Sequence, residues 1–185
     1  MLKPQYAIMA PMPEPGIKFL CDDMLGKLAR WLRIIGQDVF YQNRIPDQEL
    51  IETALSQSRL VLTRDLKLAK NLEHKNMPRY LVLENYPAHQ LKEVVEKFAD
   101  KITIRVFSRC VDCNVPLLEV SKDQVQDKVP PFVFKTQNYF RRCPSCGRVF
   151  WSGTHRMHVE EQLRYVLGEI YDKLKEEVWP PLNAG

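Results

Sequence analysis

Two pairs of cysteines, Cys110-x2-Cys113 and Cys143-x2-Cys146, do most to limit what this chain can fold into. Within each pair a tight turn lets two sulfurs face one point, and two such turns complete a tetrahedron. The 29 residues between the pairs give room for a β-ribbon. Thiolate donors select zinc or an iron centre, and zinc is the commoner occupant of ribbons. Four cysteines close the coordination shell, so the expected ion is structural. The alternative is four unrelated thiols, which the paired spacing disfavours. His155 and His158 follow closely, but they open a predicted helix and the cysteines already fill the shell. Cys21 stands alone and reads most simply as a buried strand residue. So short a ribbon buries little apolar surface, and loss of the metal should unfold it.

Upstream of the ribbon the pattern is different. Ile17 to Cys21 reads as a strand, and Met24–Ile35 carries Leu25, Leu28, Ala29, Leu32 and Ile35 at helical spacing, with Gly36 as its stop. Val39 to Tyr41 is a second strand, followed by a helix over 46–57. Leu60 to Leu62 is a third strand, then come a short helix around Leu66–Leu72 and a strand over 80–83. A helix over 87–99 and a fifth strand over 102–107 complete the series. Strands alternating with helices imply a parallel sheet with helices on both faces. In such sheets functional groups gather at the carboxyl ends of the strands. The expected organisation is therefore a lead-in over 1–16, flexible and holding four prolines, an α/β domain over 17–107, a ribbon over 108–154 and a helix with its tail over 155–185.

The chain has 185 residues, 45% hydrophobic and 27% charged, which excludes wholesale disorder. No apolar run approaches the roughly 18 residues of a membrane span, and no signal peptide is expected. The expected compartment is the cytoplasm, where five cysteines do not form a disulfide set.

Asp22 and Asp23 fall where the first strand meets its helix, Asp47 in the first turn of the second helix and Asp65 just past the third strand. A parallel sheet brings all four to one edge. Clustered carboxylates repel unless a cation sits among them. Mg²⁺ or Mn²⁺ suits oxygen donors and can activate water against a phosphodiester. Each residue also has a local alternative: Asp22, Asp23 or Asp65 as a helix cap, Asp47 at a helix's positive end.

Phe19-Leu20-Cys21-Asp22-Asp23-Met24-Leu25-Gly26-Lys27-Leu28-Ala29-Arg30-Trp31-Leu32-Arg33 resembles the opening signature of the Mut-seven C-terminal RNase domain family. So does Leu62-Thr63-Arg64-Asp65, after Asp47-x-Glu49-Leu50. Cys110-x2-Cys113-Asn114 and Cys143-x2-Cys146-Gly147, followed by Trp151-x-Gly153-x-His155, resemble its zinc ribbon. The similarity covers about residues 17–160. The resemblance implies a PIN-like three-layer α/β/α sandwich whose acidic residues hold divalent metal and cleave RNA. It implies Asp22, Asp47 and Asp65 as the acidic set, with Asp23 ranked lower. Such nucleases often carry a fourth acidic residue near the next strand, where Glu84 stands here.

Candidate RNA contacts come from charge. Lys27, Arg30 and Arg33 share one face of the first helix, and Arg64 adjoins Asp65. Arg64 suits the extra charge of a pentavalent phosphate, or pairs with a carboxylate. From Lys128 to Val159 there are six basic residues and no acidic one: Lys128, Lys135, Arg141, Arg142, Arg148 and Arg156. Phe132, Phe134, Tyr139, Phe140, Phe150 and Trp151 lie among them, suited either to stack on unpaired bases or to form the ribbon's core. The leading expectation is a metal-dependent ribonuclease, with an endonuclease favoured, acting on single-stranded or structured RNA. The alternatives are a non-catalytic RNA-binding module and a protein-interaction domain docking through its last helix.

Overall fold

The computed structural model describes residues 16–179, so most of the Pro-rich lead-in and the final tail lie outside the described residues. Four short parallel strands, β1 (Lys18–Cys21), β2 (Asp38–Tyr41), β3 (Leu60–Thr63) and β4 (Arg79–Leu81), lie in the order β2-β1-β3-β4. Phe19 is in register with Val39 and Leu60, and Leu62 with Tyr80.

The pleat sends alternate residues to opposite faces, and each face has its own core. Phe19, Cys21, Val39 and Leu62 pack with Leu28 and Leu32 of α1 (Gly26–Ile34) and Leu91, Val94 and Val95 of α4 (Pro87–Lys97). Leu20 and Val61 pack on the other side with Leu50 and Ala54 of α2 (Asp47–Ser56) and Leu68 and Leu72 of α3 (Leu66–His74). The result is the expected α/β/α sandwich.

The predicted fifth strand does not form. In residues 102–107, Ile102, Ile104, Val106 and Phe107 are buried, the chain turns at Val106 and Phe107, where Phe107 takes φ +52°, and the backbone bonds lead away from the sheet. The amides of Arg105 and Phe107 donate to the carbonyls of Ile35 and Ile34 at the end of α1, and that of Ile104 donates to Leu174. Alternating burial is the same whether such a segment joins a sheet or lines the layer above it.

The ribbon is a three-stranded antiparallel sheet in the order β5 (Leu118–Val120), β6 (Phe140–Arg142), β7 (Val149–Trp151). Between β5 and β6 the chain makes a helical excursion that the sequence pattern did not indicate, including α5 (Pro131–Thr136). The predicted last helix divides at Gly168, whose φ of +60° suits glycine, into α6 (Thr154–Leu167) and α7 (Glu169–Leu174). Its apolar side is not an open docking face. Leu163, Leu167 and Tyr171 are buried in the same core as α1 and α4. Among the described residues no helix is long and apolar enough to cross a membrane.

Gly36 ends α1 at φ +91°, and a Cβ there would meet the Arg105 carbonyl oxygen at 2.7 Å and Ser108 Oγ at 2.6 Å. Gly36→Ala is therefore expected to cost about 2–4 kcal/mol, or roughly 5–15 °C in Tm. Thermal melting followed by circular dichroism measures this, and an unchanged Tm would contradict the close approach of the two backbones.

Candidate active site and metal centre

Order β2-β1-β3-β4 makes the gap between β1 and β3 the switch point of the sheet, where successive connections leave in opposite directions. Asp22 lies at the end of β1 and is 4% exposed. It caps the short 3-10 turn that follows, accepting the Met24 amide on Oδ1 at 3.0 Å. On Oδ2 it accepts the Thr63 hydroxyl and the Arg64 amide, the latter at 3.2 Å. Burial pushes its carboxyl above the ordinary value, the hydrogen bonds from Thr63, Arg64 and Met24 oppose this, and the charge of Asp65 adds to it.

Thr63 Oγ1 also accepts the Asp65 amide at 2.9 Å, so one hydroxyl joins the two strand ends. Asp65 caps α3, taking the Lys67 and Leu68 amides on Oδ1 at 2.6 and 3.2 Å, with no donor to Oδ2 among the described residues. Both residues are thus helix caps, and the cap geometry turns them toward the same rim. Asp23 accepts the Arg44 amide at 2.6 Å, fixing the loop from β2 to α2. Asp47 follows that loop, exposed in the first turn of α2. Glu84 is exposed past β4, with His89 Nδ1 3.6 Å from its carboxylate.

Sequence order and topology therefore bring Asp22, Asp23, Asp47 and Asp65 to one edge. Among the described residues, however, no three carboxylates lie close enough together to share an ion as the structure stands. Asp22 and Asp65 are linked through the Thr63 hydroxyl, and the charge of Asp65 is felt at Asp22. Their oxygens are hard donors of the kind Mg²⁺ and Mn²⁺ take, and Mg²⁺ is commonly held by one or two carboxylates with several waters. The donor set fits such an ion.

The four cysteine sulfurs lie within 4.8 Å of one another, and those of Cys110 and Cys146 are 3.9 Å apart. A tetrahedron of zinc–sulfur bonds of about 2.3 Å has edges of about 3.8 Å. The two knuckles match. Cys110 N donates to Val115 O and Asn114 N to Cys110 O, while Cys143 N donates to Arg148 O and Gly147 N to Cys143 O, all at 2.8–3.0 Å. Asn114 and Gly147 take the left-handed conformation, at φ +58° and +73°. Bonds from the Arg148 amide and the Cys143 thiol lower Cys146 to about 7. The cluster suggests zinc. His155 packs beside Phe107 and takes no part in it.

The first knuckle is also tied to the sandwich. Asn114 accepts the Val39 amide at 3.0 Å and donates to buried Asp38 at 2.8 Å. Arg33 donates to the carbonyls of Val39, Val111 and Asp112 at 3.0–3.1 Å. Asp112 pairs with Arg30 of α1 at 3.3 Å and with Arg148 of the second knuckle. Asn114 appeared in the sequence only as part of a motif, and Thr63 likewise. A polar side chain in a buried strand end was the available signal for Thr63.

Several predicted RNA contacts are occupied elsewhere. Arg33 is spent on the three carbonyls just named. Arg141 reaches the Val178 carbonyl and lies over the Trp179 ring at 4.7 Å. Arg156 is buried, bonded to Glu160 at 2.7 Å and Ser152 at 3.1 Å. A guanidinium that shares a core needs such partners, and the acid-free stretch in sequence meets its acids in space. Lys27, Arg30, Lys135 and Arg148 are exposed, the two arginines in ion pairs with Asp112, and Arg142 is half-buried beside Gly147. Arg64 donates to Asn85 and, among the described residues, pairs with no carboxylate. Of the ribbon aromatics, Phe140 is buried, Phe134, Phe150 and Trp151 pack on the ribbon's core, and Phe132 and Tyr139 are exposed.

Comparison with known proteins came to the same region. A family model described as the Mut7-C RNAse domain matches residues 17–163. A human protein named "Exonuclease mut-7 homolog" is 30% identical over 120 residues, covering 62% of this chain. That stretch is 14% of the human protein, so this chain spans a small part of it. No solved structure matches.

Two outcomes test the site. Cys143→Ser is expected to remove bound zinc, read by elemental analysis, and to lower the Tm of the whole chain by roughly 6–12 °C, about 3 kcal/mol, because the same cluster orders the first knuckle, which holds α1 and β2. Sandwich melting that ignores zinc loss would contradict that coupling. Separately, the raised carboxyl of Asp22 means the folded chain binds its proton more tightly than the unfolded one. The stability this gives is present at low pH and lost as pH rises through the folded value. The Tm of Asp22→Asn minus that of the parent should therefore become more positive between about pH 4 and 7. A flat difference would contradict the burial.

Proposed function

The chain belongs to the Mut7-C RNase domain family, and on that premise we propose that it is a metal-dependent ribonuclease that hydrolyses RNA phosphodiester bonds at the β1–β3 edge. The observation that carries the reading is the Thr63-bridged pair of Asp22 and Asp65 at the switch point of a parallel sheet. In the proposed site Asp22 and Asp65 hold Mg²⁺ or Mn²⁺, with Asp47 contributing from α2. Such an ion, when bound, polarises the phosphoryl oxygen and lowers the pKa of attacking water.

Thr63 sets the rotamer of Asp22 and the backbone position of Asp65. Burial makes Asp22 a strong proton acceptor until a cation or its hydrogen bonds satisfy it. Arg64, held by Asn85, supplies positive charge beside Asp65 for the phosphate. Asp23 acts through the loop it fixes, placing Asp47. Lys27, Arg30, Lys135, Arg142 and Arg148 remain as phosphate contacts, with Arg30 and Arg148 sharing Asp112 at rest. The ribbon, closed by zinc on Cys110, Cys113, Cys143 and Cys146, assists RNA binding. Reduced thiolate ligands suit a reducing compartment such as the cytoplasm. Endonucleolytic cleavage is the preferred mode, since no step above requires a chain end.

The test is Asp65→Asn, an exposed substitution that keeps the helix cap's acceptor. Cleavage of RNA in Mg²⁺ or Mn²⁺ should fall by at least about a hundredfold, with affinity for RNA retained. Cutting of a circular RNA by the parent would support the endonuclease mode. Binding without cleavage by the parent would instead identify a non-catalytic RNA-binding module.

A further inference from the structure

Four of the ten large apolar side chains exposed among the described residues stand along this one edge. Met24 follows β1 and is 64% exposed, Leu66 follows β3 at 62%, Leu83 follows β4 at 71%, and Tyr86 precedes α4 at 69%. Because β1, β3 and β4 are neighbours in the sheet, these residues form a row past Asp22 and Asp65.

The row is held open by a fixed backbone. Glu93 accepts the amides of Leu83 and Glu84 at 2.9 and 3.0 Å. Buried Gln90 donates to the carbonyls of Glu84 and Asn85 at 3.1 and 3.3 Å. Arg64 donates to the Asn85 side chain, joining this loop to the end of β3. The Tyr86 ring is braced edge-on by His89 at 5.9 Å between centroids. Side chains from α4 and β3 thus pin residues 83–85 while Leu83 and Tyr86 project into water. An apolar surface that is pre-ordered and exposed loses little entropy on binding.

Resting on the nuclease reading, we infer that Met24, Leu66, Leu83 and Tyr86 form a platform on which unpaired bases beside the scissile bond stack, making single-stranded RNA the substrate. The choice of occupant follows from charge. Arg64 and exposed Lys67 flank Leu66 along the chain, and Arg64 reaches Asn85 beside Tyr86, so cationic groups suited to phosphates accompany the apolar residues. Aromatic and aliphatic faces bind any base by stacking, without reading its edge. In a duplex those faces are covered, so the platform selects against paired strands. A purely apolar protein partner would leave Arg64 and the acidic pair facing it unmatched.

The experiment pairs a change in the protein with a change in the RNA. Affinity of the full chain for an end-labelled single strand is measured in Ca²⁺, with intact strands and with strands carrying consecutive abasic sites. The parent should bind intact strands about tenfold more tightly than abasic ones. Tyr86→Ala with Leu83→Ala should lose that preference, and Tyr86→Phe should keep it. Both positions are exposed, and an unchanged melting curve checks the fold of the variant. Equal losses on intact and abasic strands overturn the platform, as does self-association of the parent through this edge without base preference. Cleavage by the parent without base discrimination overturns the platform and leaves the nuclease reading standing. Discrimination without metal-dependent cleavage does the reverse.

Discussion

One hydroxyl organises the acidic edge of this protein. Thr63 donates to the buried carboxylate of Asp22 and accepts the amide of Asp65, so the ends of β1 and β3 are held in a fixed relation. Asp22 could not stay charged and 4% exposed without such donors. The arrangement keeps a carboxylate where folding alone would prefer a neutral group. On the proposed reading, that cost falls where metal binding needs negative charge.

A second constraint makes the two halves of the molecule one body. The first cysteine knuckle contributes Asn114 to the edge of β2 and Asp112 to α1, and Arg33 returns three hydrogen bonds to the same region. At Asp38, burial raises the carboxyl, but bonds from Arg59 and Asn114 outweigh it and hold the group below its ordinary value. The ion pair of Arg59 and Asp38 is itself buried, with a separation of 2.7 Å. Buried charges of this kind tolerate little movement, because separating them strands a charge in low dielectric. The knuckle therefore inherits the rigidity of the sheet.

Much of this was legible in the sequence because it depends on local rules. Short apolar runs marked β1 and β3, helical spacing marked α1, and the paired cysteines marked the metal centre. The carboxyl-end rule placed the acids on one edge. What escaped was non-local. Residues 102–107 have the apolar content of a strand, yet their amides go to α1 and to the end of α7. The acid-free stretch looked like a nucleic-acid surface, but Arg156 is buried beside Glu160 and Arg141 lies over Trp179. Charge counted along the chain says nothing about partners that arrive from elsewhere in it. The roles of Thr63 and Asn114 were hidden for the same reason, since each acts across strands.

The return of α6 and α7 to the core of α1 and α4 has a mechanical consequence. Because the chain leaves the sandwich before Cys110 and rejoins it after Trp151, the ribbon is clamped at both roots. On the proposed nuclease reading, a strand gripped there is presented at a set distance from the acidic edge, by a ruler and not by a tethered hook.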